Sequence, residues 1–497
     1  MPQKTYLFYD LETTGTNKCF DQVLQFAAIR TDLELNELER HEIMIKLNPD
    51  VIPNPEAILE RHEIMIKLNP DVIPNPEAIV VHQISVIEMQ QGEPELIAME
   101  KIHALLNTPG TISCGYNTLK FDDEFLRFSF HKNLLPPYNH QWANDCGRMD
   151  VYPVAMLYYL YKNDMIQWPE VEGKVSLKLE ELNKLNHLAV GHAHTAIVDV
   201  EATVALAKLL FKDRKMWNYV MAYFDKTEDV TRMKTLAKVL QSGRDFHQIG
   251  LFVGGVGSTD FYQYPALSLG QHNHYKNQSL WLRLDKPELA QTTLDSVTET
   301  TWVAKKKAGD LGFLLPFSGR HIRHLNEERL KQCEENIAWL KANPSIFNEI
   351  KEYHREYKYP DVPNIDVDAS LYQSGFLTSA EQQLSARFHQ VTPSEKMSIA
   401  RTFKNKNLRE MAVRVIGRNY PDYLDEKGKK VFSKRVSDIY HQSAEQAPVD
   451  YKNGRQLTAP VALQKIEEML CQENINIQQK ELLMGLKDYL SSPPVLF

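Results

Sequence analysis

Residues 8–15 read Phe8-Tyr9-Asp10-Leu11-Glu12-Thr13-Thr14-Gly15, and they continue a short apolar run of β-type composition that starts at Thr5. Side chains along a strand alternate between faces, so Asp10 and Glu12 point the same way. Two carboxylates side by side repel unless a cation lies between them, and hard divalent ions such as Mg²⁺ or Mn²⁺ favour oxygen ligands. Thr13, Thr14 and Gly15 then predict a tight turn that offers backbone N–H groups and hydroxyls beside the pair. An ordinary strand ending in polar turn residues would read the same over these eight positions, so the meaning of the pair rests on what surrounds it.

Outward from this strand, residues 1–212 alternate strand-like and helix-like segments. Val23–Thr31 and Thr111–Tyr116 read as buried strands, and 121–132, 151–162, 177–185 and 196–210 carry helical apolar spacing. The mixture predicts an α/β layer fold with a mixed sheet. Within it, Leu38–Ile58 (LERHEIMIKLNPDVIPNPEAI) is repeated without a mismatch as Leu59–Ile79, a period of 21 residues. Two repeats are too few for a solenoid. Each copy offers one strand followed by a Pro/Asn-rich turn, so only one copy is expected to fill a given strand position. The other is expected to loop out or pair at an edge, and one copy to be dispensable.

From 213 to 360 the texture changes. Trp217–Gln241 reads as helical and is followed by β-like runs at 249–253, 261–269 and 279–284. These predict a small β-barrel or β-sheet domain closed by a helix around 327–340. His272 and His274 read as exposed loop histidines, and Gly254-Gly255-Val256-Gly257 lacks the Gly-Lys-Ser/Thr of a phosphate-binding loop. Tyr359-Pro360-Asp361-Val362-Pro363 reads as a linker, and 361–497 as helical.

Hydrophobic residues at 43% and charged residues at 25% fit a globular chain, and no apolar run reaches membrane-spanning length. Five scattered cysteines without a CxxC pair, and no signal-peptide layout at Met1-Pro2-Gln3-Lys4, predict a cytoplasmic location without zinc or disulfides. The net charge of -8 hides local basic clusters. Residues 401–435 hold eleven Lys/Arg against four Asp/Glu, and a smaller group comprises Lys305-Lys306-Lys307, Arg320, His321, Arg323 and His324. Two such patches on a chain with an acidic site suggest a polyanion held away from the chemistry.

Further residues complete that site. Asn117-Thr118-Leu119-Lys120-Phe121-Asp122 follows the Thr111–Tyr116 strand, which puts Asp122 near a strand end and a helix start. Asp123 and Glu124 stand beside it, and spacing does not choose among them. Asp199 interrupts an apolar helical run between Val198 and Val200, where a carboxylate is costly unless paired, exposed or metal-bound. His194, with His192 as competitor, stands at the start of that helix, and an imidazole there can take a proton from water near neutral pH. Four carboxylates (Asp10, Glu12, Asp122, Asp199) and one histidine suit two Mg²⁺ ions and phosphodiester hydrolysis, with His194 as general base.

Asp-x-Glu-Thr-Thr-Gly, Asn-x-x-x-Phe-Asp and His-x-x-x-x-Asp, in this order, resemble the DEDDh exonucleases over residues 1 to about 212. Gln25–Asp32, Gly115–Asn117 with Phe121–Glu124, and Val367–Ala369 with Leu371-Tyr372 extend the resemblance over the whole chain to the bacterial exodeoxyribonuclease I family. The resemblance selects Asp122 over Asp123 and His194 over His192. It implies a ribonuclease H-like exonuclease domain (1–212), an SH3-like barrel (213–360) and a helical C-terminal domain (361–497). It also implies 3′→5′ release of mononucleotides from single-stranded DNA in repair or recombination, with two Mg²⁺ for which Mn²⁺ can substitute. The expected strand contacts are Glu12, Thr13, Thr14, His82, Asn117, Phe121, Lys162, Arg320, Arg323, Arg401, Lys404 and Arg409. Expected partners are single-stranded DNA and the acidic C-terminal tail of single-stranded DNA-binding protein, which Lys162 and the residues near Arg320 would meet; no membrane is expected, and a monomer is. Val495-Leu496-Phe497 reads as a tail that either packs on its own domain or docks on a partner. Two departures stand out: Thr195 occupies a position where the family has Asp or Asn, and the 21-residue duplication precedes Val81-His82-Gln83-Ile84-Ser85, the stretch similar to the family's His-x-Ile-Ser/Thr. An RNA 3′ exonuclease and a catalytically inactive nucleic-acid-binding scaffold are the competing readings.

Overall fold

The computed structural model describes residues 2–41, 63–191, 195–492 and 494. It divides into two compact units, one made of 1–148, 190–201 and 361–497, the other of 149–189 and 202–360.

The first unit is built on a mixed sheet. Strand β1 (Thr5–Thr13) pairs antiparallel with β2 (Val23–Thr31), which pairs with β3 (Glu37–His41) and β4 (Glu63–Met65). On its other side β1 runs parallel to β5 (Thr111–Cys114), which runs parallel to the short β6 (Gly147–Arg148). β2 is buried along its whole length, as its apolar sequence demands. β1 is buried except at Thr5, Asp10 and Glu12, so the two carboxylates are the openings in an otherwise covered strand. Leu7, Tyr9, Leu11, Phe26, Ile64, Met99, Ile102, Phe125 and Phe130 form the core against the sheet.

The duplication resolves unexpectedly. His41 lies opposite Ala28 and Glu63 opposite Ala27, so the two are adjacent rungs on β2 although 42–62 separate them in sequence. The strand position is therefore shared: residues 38–41 come from the first copy and 63–65 from the second. The 21 residues between, which lie outside the described residues, equal one period of the repeat. β3 and β4 both pair with β2 at the edge of the sheet. The second copy continues as the structural one. Ile64, Ile66, Leu68, Val72, Ile73 and Ile79 are buried, Asn75 caps helix α1 (Pro76–His82), and its backbone N–H donates to the Thr14 carbonyl at 2.7 Å.

The described part of 361–497 is mostly helical, packed around Phe388, Phe403, Val415, Ile416, Phe432, Ile439, Ile466 and Leu486. The basic run 401–435 is only partly a solvated face. The side chains of Arg414, Arg418 and Arg435 are only 3–10% exposed and pair with Asp71, Asp366 and Asp368 at 2.5–3.4 Å. A polyanion is therefore not what these three arginines meet.

The second unit carries an antiparallel sheet of β7 (Ala237–Ser242), β8 (Asp245–Val253), β9 (Gln263–Gln271), β10 (Gln278–Arg283), β11 (Val303–Lys307) and β12 (Phe313–Pro316) in the order β11-β10-β9-β8-β12, with β7 also on β8. Helices 327–342 and 344–356 pack on its core. Three expectations are corrected here. The run 217–241 is not one helix: helices end at Met221 and Lys234, and its last residues enter β7. His272 is buried, its Nδ1 accepting the N–H of His274 at 3.1 Å, while His274 is exposed. The Lys305–Lys307 cluster lies on β11, and strand alternation sends Lys306 inward to a fully buried ion pair with Asp229 at 2.6 Å. Among the described residues no helix is long and apolar enough to cross a membrane.

Candidate active site

Four segments distant in sequence build the site. Asp10 and Glu12 share a face of β1, as alternation requires, opposite Ala27 and Gln25 of β2. The small Ala27 leaves room beside Asp10. Asp199 comes from helix α3 (Ala196–Phe211), whose first turn is closed by the Thr195 carbonyl accepting from Val198 and Asp199. Val198 and Val200 turn into the core and leave Asp199 half-buried. Carboxylate oxygens of Asp10, Glu12 and Asp199 lie within 4.8 Å of one another.

Asp122 is the first residue of helix α2 (Asp122–Lys132) and is buried. Burial raises the Asp10 carboxyl well above the usual range, and the charges of Asp122, Asp199 and Glu12 raise it further. Burial followed by Asp199 and Asp122 pushes Glu12 up to about 9. Four acids converging in this way are held together against their own repulsion. An oxygen-only donor set with that surplus of negative charge fits a hard divalent cation and not a soft one. Asp10, Glu12, Asp122 and Asp199 are the residues that would hold it.

The three acids opening α2 are told apart by their surroundings. Asp123 is fully buried between the guanidinium groups of Arg127 (3.0 Å) and Arg148 (2.7 Å), with the His140 ring at 3.1 Å. Those cations outweigh the cost of burial and hold it far below the ordinary carboxylate range. Glu124 is tied to Lys18 at 2.5 Å. Only Asp122 remains directed to the cluster on β1.

The turn after Glu12 uses its own polar groups. Thr13 Oγ1 donates to the Gly15 carbonyl (2.7 Å), and Thr14 Oγ1 donates to Asp21 (3.3 Å) and accepts from Gln22 N–H (2.9 Å). Both threonines are buried, so their hydroxyls shape the turn instead of standing free for a ligand. A Cβ on Gly15 would meet the Asp21 carboxylate at 2.4 Å, which is why glycine is needed there.

His82, at the end of α1, is buried and accepts the Ile84 N–H at Nδ1 (3.0 Å). That bond assigns the proton to Nε2, which is buried without a protein partner among the described residues. Burial lowers its imidazole to about 4, so it is a neutral donor at pH 7. Asn117 holds a left-handed conformation (φ 63°) ahead of the 3-10 turn 118–120, and the Phe121 ring packs on Phe125. His194 and His192 lie outside the described residues.

In the second unit Lys162, Arg320 and Arg323 are all exposed. Arg323 lies over the Tyr161 ring at 5.6 Å, Lys162 pairs with Asp213 at 2.8 Å, and His321 and His324 pack edge-on to Tyr161. In the first unit Arg401, Lys404 and Arg409 are exposed. Arg401 pairs with Asp425 at 2.6 Å and Arg409 donates to the Phe403 carbonyl.

The exonuclease family model matches residues 7–207, and the exonuclease I C-terminal domain matches residues 365–492. Exodeoxyribonuclease I of Escherichia coli (strain K12) is 29% identical over 450 residues, 85% of this chain and 87% of that protein. The structure of E. coli exonuclease I in complex with a 5cy-dT13 oligonucleotide superposes with a TM-score of 0.81 at 24% identity, covering 99% of this chain and 100% of the other. An SSB/exonuclease I structure with the inhibitor CFAM gives 0.78 at 24%, covering 99% of each. These two structures show the same fold. With an exonuclease domain followed by an exonuclease I C-terminal domain, and with similarity spanning most of its length, the chain is a relative of the exodeoxyribonuclease I nucleases.

Proposed function

We propose that the chain degrades single-stranded DNA from the 3′ end, releasing 5′-mononucleotides by two-metal-ion hydrolysis. The observation that carries this reading is the approach of Asp10, Glu12 and Asp199 within 4.8 Å, with Asp122 close enough to raise the first two. Mg²⁺ ions held there supply Lewis acidity at the attacking water and at the leaving 3′ oxygen. The chain's own residues bind, orient and move the proton. Asp10, Glu12, Asp122 and Asp199 fix the cations, and His194 takes the proton of the attacking water as general base. His82 Nε2–H and the Asn117–Phe121 segment receive the terminal nucleotide. The DNA backbone is tracked by Arg401, Lys404 and Arg409, and the exposed Lys162–Arg320–Arg323 surface suits an acidic peptide or the strand itself.

The E. coli relative binds a dT13 oligonucleotide and the SSB/exonuclease I structure names SSB as its companion, which supports the same ligands here. We read the antiparallel sheet of 237–316 as an SH3-like barrel. The three domains are taken as 1–212, 213–360 and 361–497, in a cytoplasmic, monomeric enzyme of DNA repair. The test is product analysis on 5′-labelled single-stranded DNA, single-stranded RNA and duplex DNA with Mg²⁺. Stepwise shortening of the DNA strand, abolished in Asp10→Ala, is expected. Preference for RNA would move the chain to the RNA exonucleases, and no metal-dependent release from any strand would leave a binding scaffold.

A further inference from the structure

Glu124 stands where three parts of the first unit meet. Its Oε2 accepts from Lys18 Nζ at 2.5 Å, and its Oε1 accepts from the hydroxyls of Tyr372 (3.0 Å) and Tyr451 (2.9 Å). Lys18 belongs to the turn that leaves β1, six residues beyond Glu12, and its Nζ also donates to the Lys120 carbonyl at 2.5 Å, two residues before Asp122. One ammonium group therefore joins the segment carrying Asp10 and Glu12 to the segment carrying Asp122. The pair is largely shielded, with 18% and 16% of the two side chains exposed, so water screens it little.

The other end of the strut is C-terminal. Tyr372 closes the 3-10 segment Val367–Tyr372, and Tyr451 lies beyond the helix 426–441. Phe128 of α2 stacks on Tyr451 (5.6 Å) and meets Tyr372 edge-on (5.3 Å). Asn17, in the same turn as Lys18, donates to Asp450 at 2.9 Å. The β1 turn and the start of α2 are thus both fastened to residues 366–451.

We propose that Glu124 is a positioning residue: with Lys18 it sets the separation between the Asp10–Glu12 pair and Asp122, and Tyr372 and Tyr451 hold it there, so that the C-terminal domain contributes to metal affinity. The inference rests on the nuclease reading of these carboxylates. Its physical basis is that like charges push the two segments apart, and a charge-assisted hydrogen bond inside the protein is the opposing restraint. Groups that orient metal ligands from behind typically change affinity by about 10–100-fold when removed.

The experiment measures Mn²⁺ binding to the full chain by electron paramagnetic resonance, alongside thermal unfolding. Glu124→Gln and Lys18→Met are expected to weaken Mn²⁺ about tenfold, Tyr372→Phe/Tyr451→Phe by less, and Lys18→Arg to keep near wild-type affinity. Wild-type Mn²⁺ affinity in Glu124→Gln and Lys18→Met, whatever happens to their melting, overturns the proposal and leaves Glu124 purely structural. If Glu124→Gln fails to fold, the contrast between Lys18→Met and Lys18→Arg decides. Normal Mn²⁺ binding in a wild-type chain that cleaves no strand would instead sink the nuclease reading while leaving the strut intact.

Discussion

Glu12 shows how much chemistry one side chain inherits from its neighbours. With its carboxyl lifted to about 9, it keeps its proton at pH 7 when no cation is bound. A dication displaces that proton, so metal binding at pH 7 releases protons and tightens as pH rises toward 9. Titration calorimetry of Mg²⁺ in buffers of different ionisation enthalpy checks this; buffer-independent heats would show that the site is already ionised. Asp123, one residue from Asp122, behaves oppositely. Asp123→Asn leaves the half-buried Arg127 and Arg148 beside a neutral amide, and removing one partner of a fully buried pair costs about 3–5 kcal/mol, an upper bound here. A lowered urea midpoint is expected, measured by circular dichroism. The pair Asp10 and Glu12 was legible because alternation along a strand is a local rule. The choice between Asp122 and Asp123 was not, since it depends on Arg148 and His140, which reach Asp123 only through the fold.

The edge strand formed by β3 and β4 is the element on which the duplication acts. Because His41 and Glu63 occupy adjacent rungs, removing 42–62 joins them without shifting a single pair on β2. Deleting 38–58 gives the same polypeptide, since the copies are identical. The shortened chain is expected to fold and retain activity; inactive or unfolded protein would show that the extra segment is required. Within the second copy, Asp71→Asn strips one partner from each of Arg418 and Arg435, both at 2.7 Å, and is expected to cost up to about 3–5 kcal/mol. An unchanged midpoint in chemical denaturation would show that Asp366 and Asp368 suffice for the two arginines. The sequence announced the repeat but not the crossing point, because identical copies satisfy every strand position equally well.

At the scale of the whole chain, the Asp71–Asp366–Asp368 and Arg414–Arg418–Arg435 cluster links the exonuclease sheet to the C-terminal helices. Burial alone would raise these carboxyls, but the arginines outweigh it and hold all three below their ordinary range. A lowered folded value means that the stabilisation is complete above the unfolded value of about 3.9 and is lost as pH falls below it. The contribution of this cluster to the urea midpoint is expected to be flat from pH 7 to 5 and to drop steeply below about pH 4. Arg435→Met is expected to start that drop at higher pH, and an unchanged profile would remove the cluster from the acid response. By itself the sequence determined the chemistry: two acids on one strand face, a third after a strand, a fourth in an apolar helix, and the α/β order that carries them. Those are features of residues a few positions apart, where backbone geometry leaves little choice. Only the tertiary structure decided where the sheet passes from one copy to the other and which basic residues pair inside the protein, and it separates by their surroundings the three consecutive acids that spacing left open. Each of those outcomes depends on partners tens to hundreds of residues away, whose meeting is fixed by packing and not by local pattern.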